Sequence, residues 1–327
     1  MERRTVGVVG TLVWDRILDR DGRVEPVEEW GGIAYALSAL RAALPVRWSI
    51  LPIVKVGRDL AEDAYRFLRE IPGLDVSGLV VVPEPNNRVE LRYSSAERRA
   101  ERLSGGVPPW RWPELAPLVE MCDALYVNFI SGFEMALETA MALRAGYSGP
   151  TYADLHSLFL GMNVTGLRVP QALQGWRDWL RCFDSVQMNE DEFALLGVAT
   201  GDPWHLAAEA LGPHLKLLAV TLGPRGAAYV ASGDFEADPD TWRRRRPLEA
   251  PTSARSGLVG REGAPAVGDP TGCGDVWGAT FFSRLLAGDG LEVAMQEANR
   301  LAARNVEHRG ARGLFRHLRG QLSGVEE

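Results

Sequence analysis

The stretch VGDPTGCGDVWGATFFSRLLAGDG, residues 267–290, begins as a glycine-rich loop and ends as a helix. Gly268, Asp269, Pro270, Thr271, Gly272, Cys273, Gly274 and Asp275 come first, and then Val276, Ala279, Thr280, Phe282, Ser283 and Leu286 recur at helical spacing. The unpaired N–H groups of a first helical turn, with the positive end of the helix dipole, suit a phosphate or another oxyanion. Glycines at 272 and 274 let the backbone close on such an anion, because a Cβ would hold it away. Asp275 then admits two readings. A carboxylate at a helix start caps free N–H groups; one beside an anion cradle takes the proton from a hydroxyl as that hydroxyl attacks phosphorus.

The rest of the chain narrows the choice. Its 327 residues, 46% hydrophobic, can bury a large core as one α/β domain or as a domain with a small appendage. No apolar run approaches the roughly 20 residues of a membrane span. The opening MERRTVGVVGTLVWDR reaches Asp15 too soon for a signal peptide, so a cytoplasmic protein without a membrane partner is expected. Cys122, Cys182 and Cys273 lie far apart and form no CxxC pair, which indicates neither a disulfide framework nor a zinc site. A net charge of −7 argues against a nucleic-acid partner. Lys55 and Lys216 are the only lysines and neither follows a glycine, which excludes a Walker A loop; GxGxxG, GxSxG and HExxH are absent as well.

Short apolar runs at 5–10, 48–54, 123–129, 151–155, 184–189, 216–222 and 227–232 read as strands. Helical patterns occupy 33–44, 59–70, 134–145, 171–182, 190–196, 204–211, 275–287 and 291–307. Buried strands alternating with helices predict a doubly wound, mainly parallel sheet, with ligands beyond the carboxyl ends of its strands. Two segments break the rhythm: 14–32, with an Asp-Gly turn at 21–22, and 87–106, which alternates along VELRY. Both read as hairpins of a small β-lid. Residues 233–267, rich in Pro, Gly and charge, read as a surface excursion, and RRRR at 243–246 as a solvated charge run. The Trp-rich PPWRWP (108–113) reads as packing between lid and core.

DPTGCGD (269–275) resembles the second signature of the ribokinase-like, or PfkB-type, sugar kinases, usually Asp-Thr-x-Gly-Ala-Gly-Asp; Pro270 stands at its second position and Cys273 at that of the alanine. Other pieces follow in the family's order. GTLVWD ending at Asp15 is similar to the first strand with its substrate aspartate, and GGIAYALSAL from Gly31 to the substrate diglycine and helix. KVGRD (55–59) resembles the Gly-x-Asp turn, NEDE (189–192) Asn-x-x-Glu, VTLGPRGA (220–227) the nucleotide loop, and 298–311 the C-terminal helix.

The resemblance implies a ribokinase-like α/β fold: one kinase domain over 1–327, with lid segments near 12–32 and 85–106. It implies ATP- and Mg2+-dependent phosphorylation of an alcohol of a sugar or sugar derivative. Asp275 would be the base, and the N–H groups of Gly272, Cys273 and Gly274 the anion hole. Asn189 and Glu192 would organise the water shell of Mg2+, a helix-capping pair being the alternative. Thr221, Gly223 and Gly226 would pass the nucleotide, and Asn299 would face adenine. Asp269 and Thr271 match positions that line a K+ site in some relatives; a side-chain-capped turn is the alternative. Asp15 would accept hydrogen bonds from vicinal hydroxyls, beside Gly31, Gly32 and Tyr35. His156 reads as a structural histidine.

One departure bears on the substrate. Many sugar-specific relatives carry Asn four residues after the second glycine, where this chain has Ala36. A nucleoside kinase of the same superfamily, favoured by Tyr35 as an aromatic face, and a catalytically idle sugar- or nucleotide-binding sensor therefore stay open as alternatives. Pairing of lid edges would give a homodimer.

Overall fold

The apolar runs pair into one sheet because both of their faces find cover. The structure, a computed structural model, describes residues 3–18, 27–93, 99–196, 202–243, 253–263 and 266–321. Its strands are β1 (Arg4–Gly10), β2 (Leu12–Leu18), β3 (Val27–Gly32), β4 (Trp48–Gly57), β5 (Leu79–Val82), β6 (Arg88–Tyr93), β7 (Arg99–Ser104), β8 (Ala124–Asn128), β9 (Thr151–Asp154), β10 (Leu160–Met162), β11 (Arg168–Pro170), β12 (Ser185–Asn189), β13 (Leu217–Thr221), β14 (Ala227–Ser232) and β15 (Ala254–Val259). The large sheet has the order β15-β14-β13-β12-β9-β8-β1-β4-β5. All pairings from β5 to β13 are parallel, and β14 and β15 add an antiparallel edge. This is the doubly wound α/β architecture expected.

Strand alternation sends side chains into two helical layers. Val6 and Val8 of β1 join a core with the helices Ile33–Ala43, Cys273–Ala287 and Leu291–Asn305. Val9 turns to the other face, with the helices Trp112–Val119, Leu137–Gly146 and Glu190–Leu196. Burial on both faces explains why these strands read as continuous apolar runs.

The lid is a separate sheet of order β3-β2-β6-β7. It consists of two antiparallel pairs, β2–β3 and β6–β7, joined through a parallel β2–β6 contact. Val13, Ile17, Val89, Leu91 and Leu103 form its buried face. The outer edge of β7 meets the β10–β11 hairpin of the same chain, Leu103 N–H donating to the Gly166 carbonyl at 2.9 Å, so β3 is the edge left for any second copy. The Asp-Gly turn at 21–22 lies outside the described residues.

Three expectations need correction. The 233–267 excursion supplies β15, the edge strand of the main sheet, and buries Phe235 and Trp242 on the way. Arg243 is not solvated: its guanidinium donates to Asp184 at 2.8 Å and to the Tyr147 carbonyl at 2.8 Å. The remaining arginines of that run, 244–246, lie outside the described residues. The helix expected over 171–182 is confined to Trp176–Arg181, because Gly175 takes a left-handed conformation with φ 65°. Trp110 does pack at the lid-to-core connection, with the Lys55 ammonium over its ring. Among the described residues no helix is long and apolar enough to cross a membrane.

The lid is pinned at Asn86. Its Oδ1 accepts from Gly57 N–H at 3.0 Å, and its Nδ2 donates to the Leu12 and Asn87 carbonyls at 3.1 and 3.0 Å. These three backbone groups stand where β4 ends and where both lid segments begin. Asn86→Ala removes these bonds in a buried place, leaving the Asn87 carbonyl only its bond from Trp14 N–H. Stability should fall by about 2–4 kcal/mol, read as a lower urea midpoint with the slope of the transition unchanged.

Candidate active site

Strand register gathers polar side chains at the carboxyl ends of the parallel strands. Asn128 pairs with Asp154, Asp154 with Gln187, and Asn189 with Thr221. Each lies at or near the end of a largely apolar run, so the sheet delivers a row of polar groups along one rim.

The helix Cys273–Ala287 points its N-terminus at this row. Gly272 is its N-cap, with φ 75°, a left-handed conformation. A Cβ there would also overlap the Tyr35 ring. Asp275 sits in the first turn and is not the capping residue. Its Oδ1 accepts instead from Asn128 Nδ2 at 2.6 Å, so the capping reading of Asp275 does not hold. Of the three N–H groups expected to face an anion, that of Cys273 is engaged, donating to the Pro270 carbonyl at 3.2 Å. Among the described residues the N–H groups of Gly272 and Gly274 have no protein acceptor. The Cys273 thiol turns away, donating to the Ala302 carbonyl and accepting from Asn305.

A second set of bonds braces the loop from the sheet. Gln187 Nε2 donates to Asp154 Oδ2 at 3.0 Å and to the Gly274 carbonyl at 3.1 Å, while Tyr152 donates to Gln187 Oε1. Asp154, His156 and Asp275 each place one ligand-type atom within 4.8 Å of the others. Burial opposes a charge on His156, but Asp154, with Asp275 and Glu192 beyond it, prevails and pushes the imidazolium up to about 10.

The lid carries the residues expected on the acceptor side. Asp15, 4% exposed, lies on the buried face of β2, and its carboxylate occupies the space that a Cβ at Gly31 would take. Gly32, with φ 61°, starts the helix Ile33–Ala43, and a Cβ there would press on the Thr11 carbonyl. Asp15, Gly31 and Gly32 thus do come together. Tyr35 does not offer an open aromatic face: it is 3% exposed and its ring is the floor beneath Gly272. Ala36 is fully buried in the core.

The residues expected on the nucleotide side separate into two groups. Gly223 and Gly226, with φ 58° and 100°, bracket a tight turn after Thr221, on the same rim as Asn189. Asn299 is 5% exposed and fully engaged, accepting from Trp277 Nε1 at 2.8 Å and donating to the Val259 carbonyl at 3.0 Å. It fastens β15 to the helical layer, so its amide is not available to read a base.

Asn189 and Glu192 form the capping pair: Asn189 Nδ2 donates to Glu192 Oε1 at 2.6 Å, and Glu192 N–H to Asn189 Oδ1 at 2.9 Å. Burial raises the Glu192 carboxyl to about 7, with His156 acting against it. Each carboxylate oxygen keeps a lone pair beyond this bond, and a nearby cation would favour the ionised form. The pair therefore fits an outer-sphere role toward Mg2+. Asp269 Oδ1 accepts from the N–H and the hydroxyl of Thr271 at 2.9 and 2.6 Å, which is the side-chain-capped turn.

A family model, the pfkB family carbohydrate kinases, matches residues 51–316. The chain belongs to this family. The match begins after Asp15 and the diglycine, whose placement rests on the fold. No curated protein matches the sequence. Among solved structures, a sulfate complex of a pyrophosphate-dependent kinase in the ribokinase family superposes with a TM-score of 0.70 at 18% identity, covering 94% of this chain and 98% of that one. Ribokinase from Cryptococcus neoformans, complexed with ADP, gives 0.65 at 16% identity, covering 98% and 100%. A Burkholderia thailandensis nucleoside kinase complexed with inosine gives 0.66 at 16%, covering 95% and 93%. At these identities the likeness establishes the shared fold.

Asn128, Asp154 and Gln187 were not singled out from the sequence. Their signal is positional: a polar residue at or near the end of a buried parallel strand. The fit of Gly272 over Tyr35 is directly testable. Gly272→Ala should cost about 1–3 kcal/mol for the left-handed backbone, plus the overlap with the ring. Combining it with Tyr35→Ala should recover only the steric part, measured as the coupling energy of a double-mutant cycle by denaturant unfolding.

Proposed function

We propose that this PfkB-family protein transfers the terminal phosphoryl group of ATP to an alcohol of a sugar or sugar derivative. The observation that carries the reading is the state of Asp275. Its carboxylate is held by the Asn128 amide beside two backbone N–H groups with no acceptor among the described residues, at the N-terminus of a 15-residue helix.

In this reading the acceptor hydroxyl gives its proton to Asp275 while its oxygen attacks phosphorus. The bridging P–O bond breaks and the electron pair leaves with ADP. Gly272 and Gly274 N–H groups meet negative charge on the transferring oxygens without reorganising, which is where such sites gain most. The amide of Asn128 fixes the carboxylate that receives the proton, and positioning of this kind contributes strongly to phosphoryl transfer. Asp15, on the lid, would orient the acceptor through its hydroxyls. The lid over this face keeps water, a competing acceptor, from the reacting group. Mg2+, organised through the waters held by Glu192 and Asn189, would supply charge neutralisation on the donor phosphates.

The nucleoside alternative leaned on Tyr35, which is packed under Gly272; the inosine-bound neighbour is what still favours it. Pyrophosphate as donor is favoured by the pyrophosphate-dependent neighbour. An idle sensor has no use for an oriented base. The deciving test is product release with Mg·ATP or Mg·pyrophosphate against sugars, sugar acids, inositols and nucleosides. Turnover is expected with ATP and one sugar-like class. Asp275→Asn should lower kcat by about 10²–10⁴-fold with the melting temperature held, and Asn128→Ala by about 10–100-fold. Full activity in Asp275→Asn would remove the proposed base.

A further inference from the structure

The strand rim holds a histidine that the proposed chemistry has not used. His156 follows β9 by two residues, in the turn His156–Phe159. Its Nδ1 lies 3.4 Å from Asp154 Oδ1, and its backbone N–H donates to the same oxygen at 3.2 Å. The side chain is 30% exposed. Among the described residues its Nε2 has no hydrogen-bond partner. A partly exposed ring that Asp154 both charges and orients, with an N–H unpartnered among the described residues, is a donor awaiting an acceptor.

The charges around it say what that acceptor is. Asp154 on β9, Asp275 on the Cys273–Ala287 helix and Glu192 on the Glu190–Leu196 helix all bear on His156. Three carboxylates would repel a polyphosphate unless a cation stood among them. Cations on adjoining elements are committed elsewhere: among the described residues Arg168 of β11 donates to the Ser131 and Ser157 carbonyls, and Arg225 pairs with Glu190. Through Gln187, the partner of His156 is itself tied to Gly274 in the anion loop.

The geometry points to His156 as a catalytic residue: an imidazolium that donates a hydrogen bond to an oxygen of the transferring phosphoryl group, opposite the Gly272 and Gly274 N–H groups. This rests on the kinase reading for the identity of the transferred group. His156 keeps its proton throughout. The proton released by the acceptor hydroxyl goes to Asp275, and the electron pair of the broken P–O bond goes to the departing ADP. Asp154 acts as a positioning residue that fixes the ring.

Inorganic sulfate, a tetrahedral oxyanion, tests the site apart from turnover. Isothermal titration of the full chain should show sulfate binding to the wild type, at least about tenfold weaker binding to His156→Asn, and binding kept by His156→Lys, which preserves the charge. In the kinase assay His156→Asn should lower kcat by about 10²-fold, the typical loss for one oxyanion donor, with the KM of the acceptor unchanged. Should His156→Asn lower the melting temperature, His156→Gln, which retains a donor toward Asp154, carries the comparison. Equal sulfate affinity in wild type and variant, or no binding by the wild type, overturns the assignment. Absence of turnover with every donor and acceptor would count against the kinase reading, and the sulfate titration would still judge His156.

Discussion

The hydrogen bond from Asn128 to Asp275 joins the two halves of the site. One partner ends a central strand and the other lies in the first turn of a helix 147 positions further along the chain. A bond of 2.6 Å between them fixes where that helix must begin. Once it begins there, Gly272 falls over Tyr35 and Gly274 comes within reach of Gln187. The loop is thus held from below by an aromatic ring and from the side by an amide. Such double support keeps the Gly272 and Gly274 N–H groups aimed outward, which is the condition for electrostatic stabilisation without reorganisation.

The core strands and the loop before the Cys273–Ala287 helix were legible in the sequence, because burial on both sheet faces leaves unbroken apolar runs and because glycines before a helix have few other uses. β15 was not, since ARSGLV is largely exposed at the sheet edge and carries no apolar run. Arg243 escaped for another reason. A run of arginines looks alike whether solvated or pinned, and its buried partner Asp184 is 59 residues away. Asn299 was placed by resemblance, but its amide is consumed by Trp277 and Val259. Tyr35 was read as part of the acceptor pocket, whereas the constraint on it comes from Gly272, 237 positions later (272 − 35). Each of these misses involves a contact between distant segments, which periodicity does not record.

The lid shows how a second sheet is held on the first. Asn86 bonds both lid segments to the end of β4, and Asp59 receives Asn86 N–H and pairs with Arg88. The bonds lie at one end of the lid, while its buried face carries Asp15 among apolar neighbours.

The helix Ile33–Ala43 has a further consequence for how the chain is made. Its apolar face is covered by Cys273–Ala287 and by Leu314–Leu318, the last reinforced by Ser38 donating to the Ala311 carbonyl and Arg319 to that of Arg41. These partners emerge from the ribosome about 240 residues later (273 − 33). At roughly 5–20 residues per second, the nascent N-terminal third waits about 12–48 s with that surface uncovered. Completion of the core therefore comes late in synthesis by topology, and the nascent chain has a long interval in which a chaperone can hold it and aggregation can claim it.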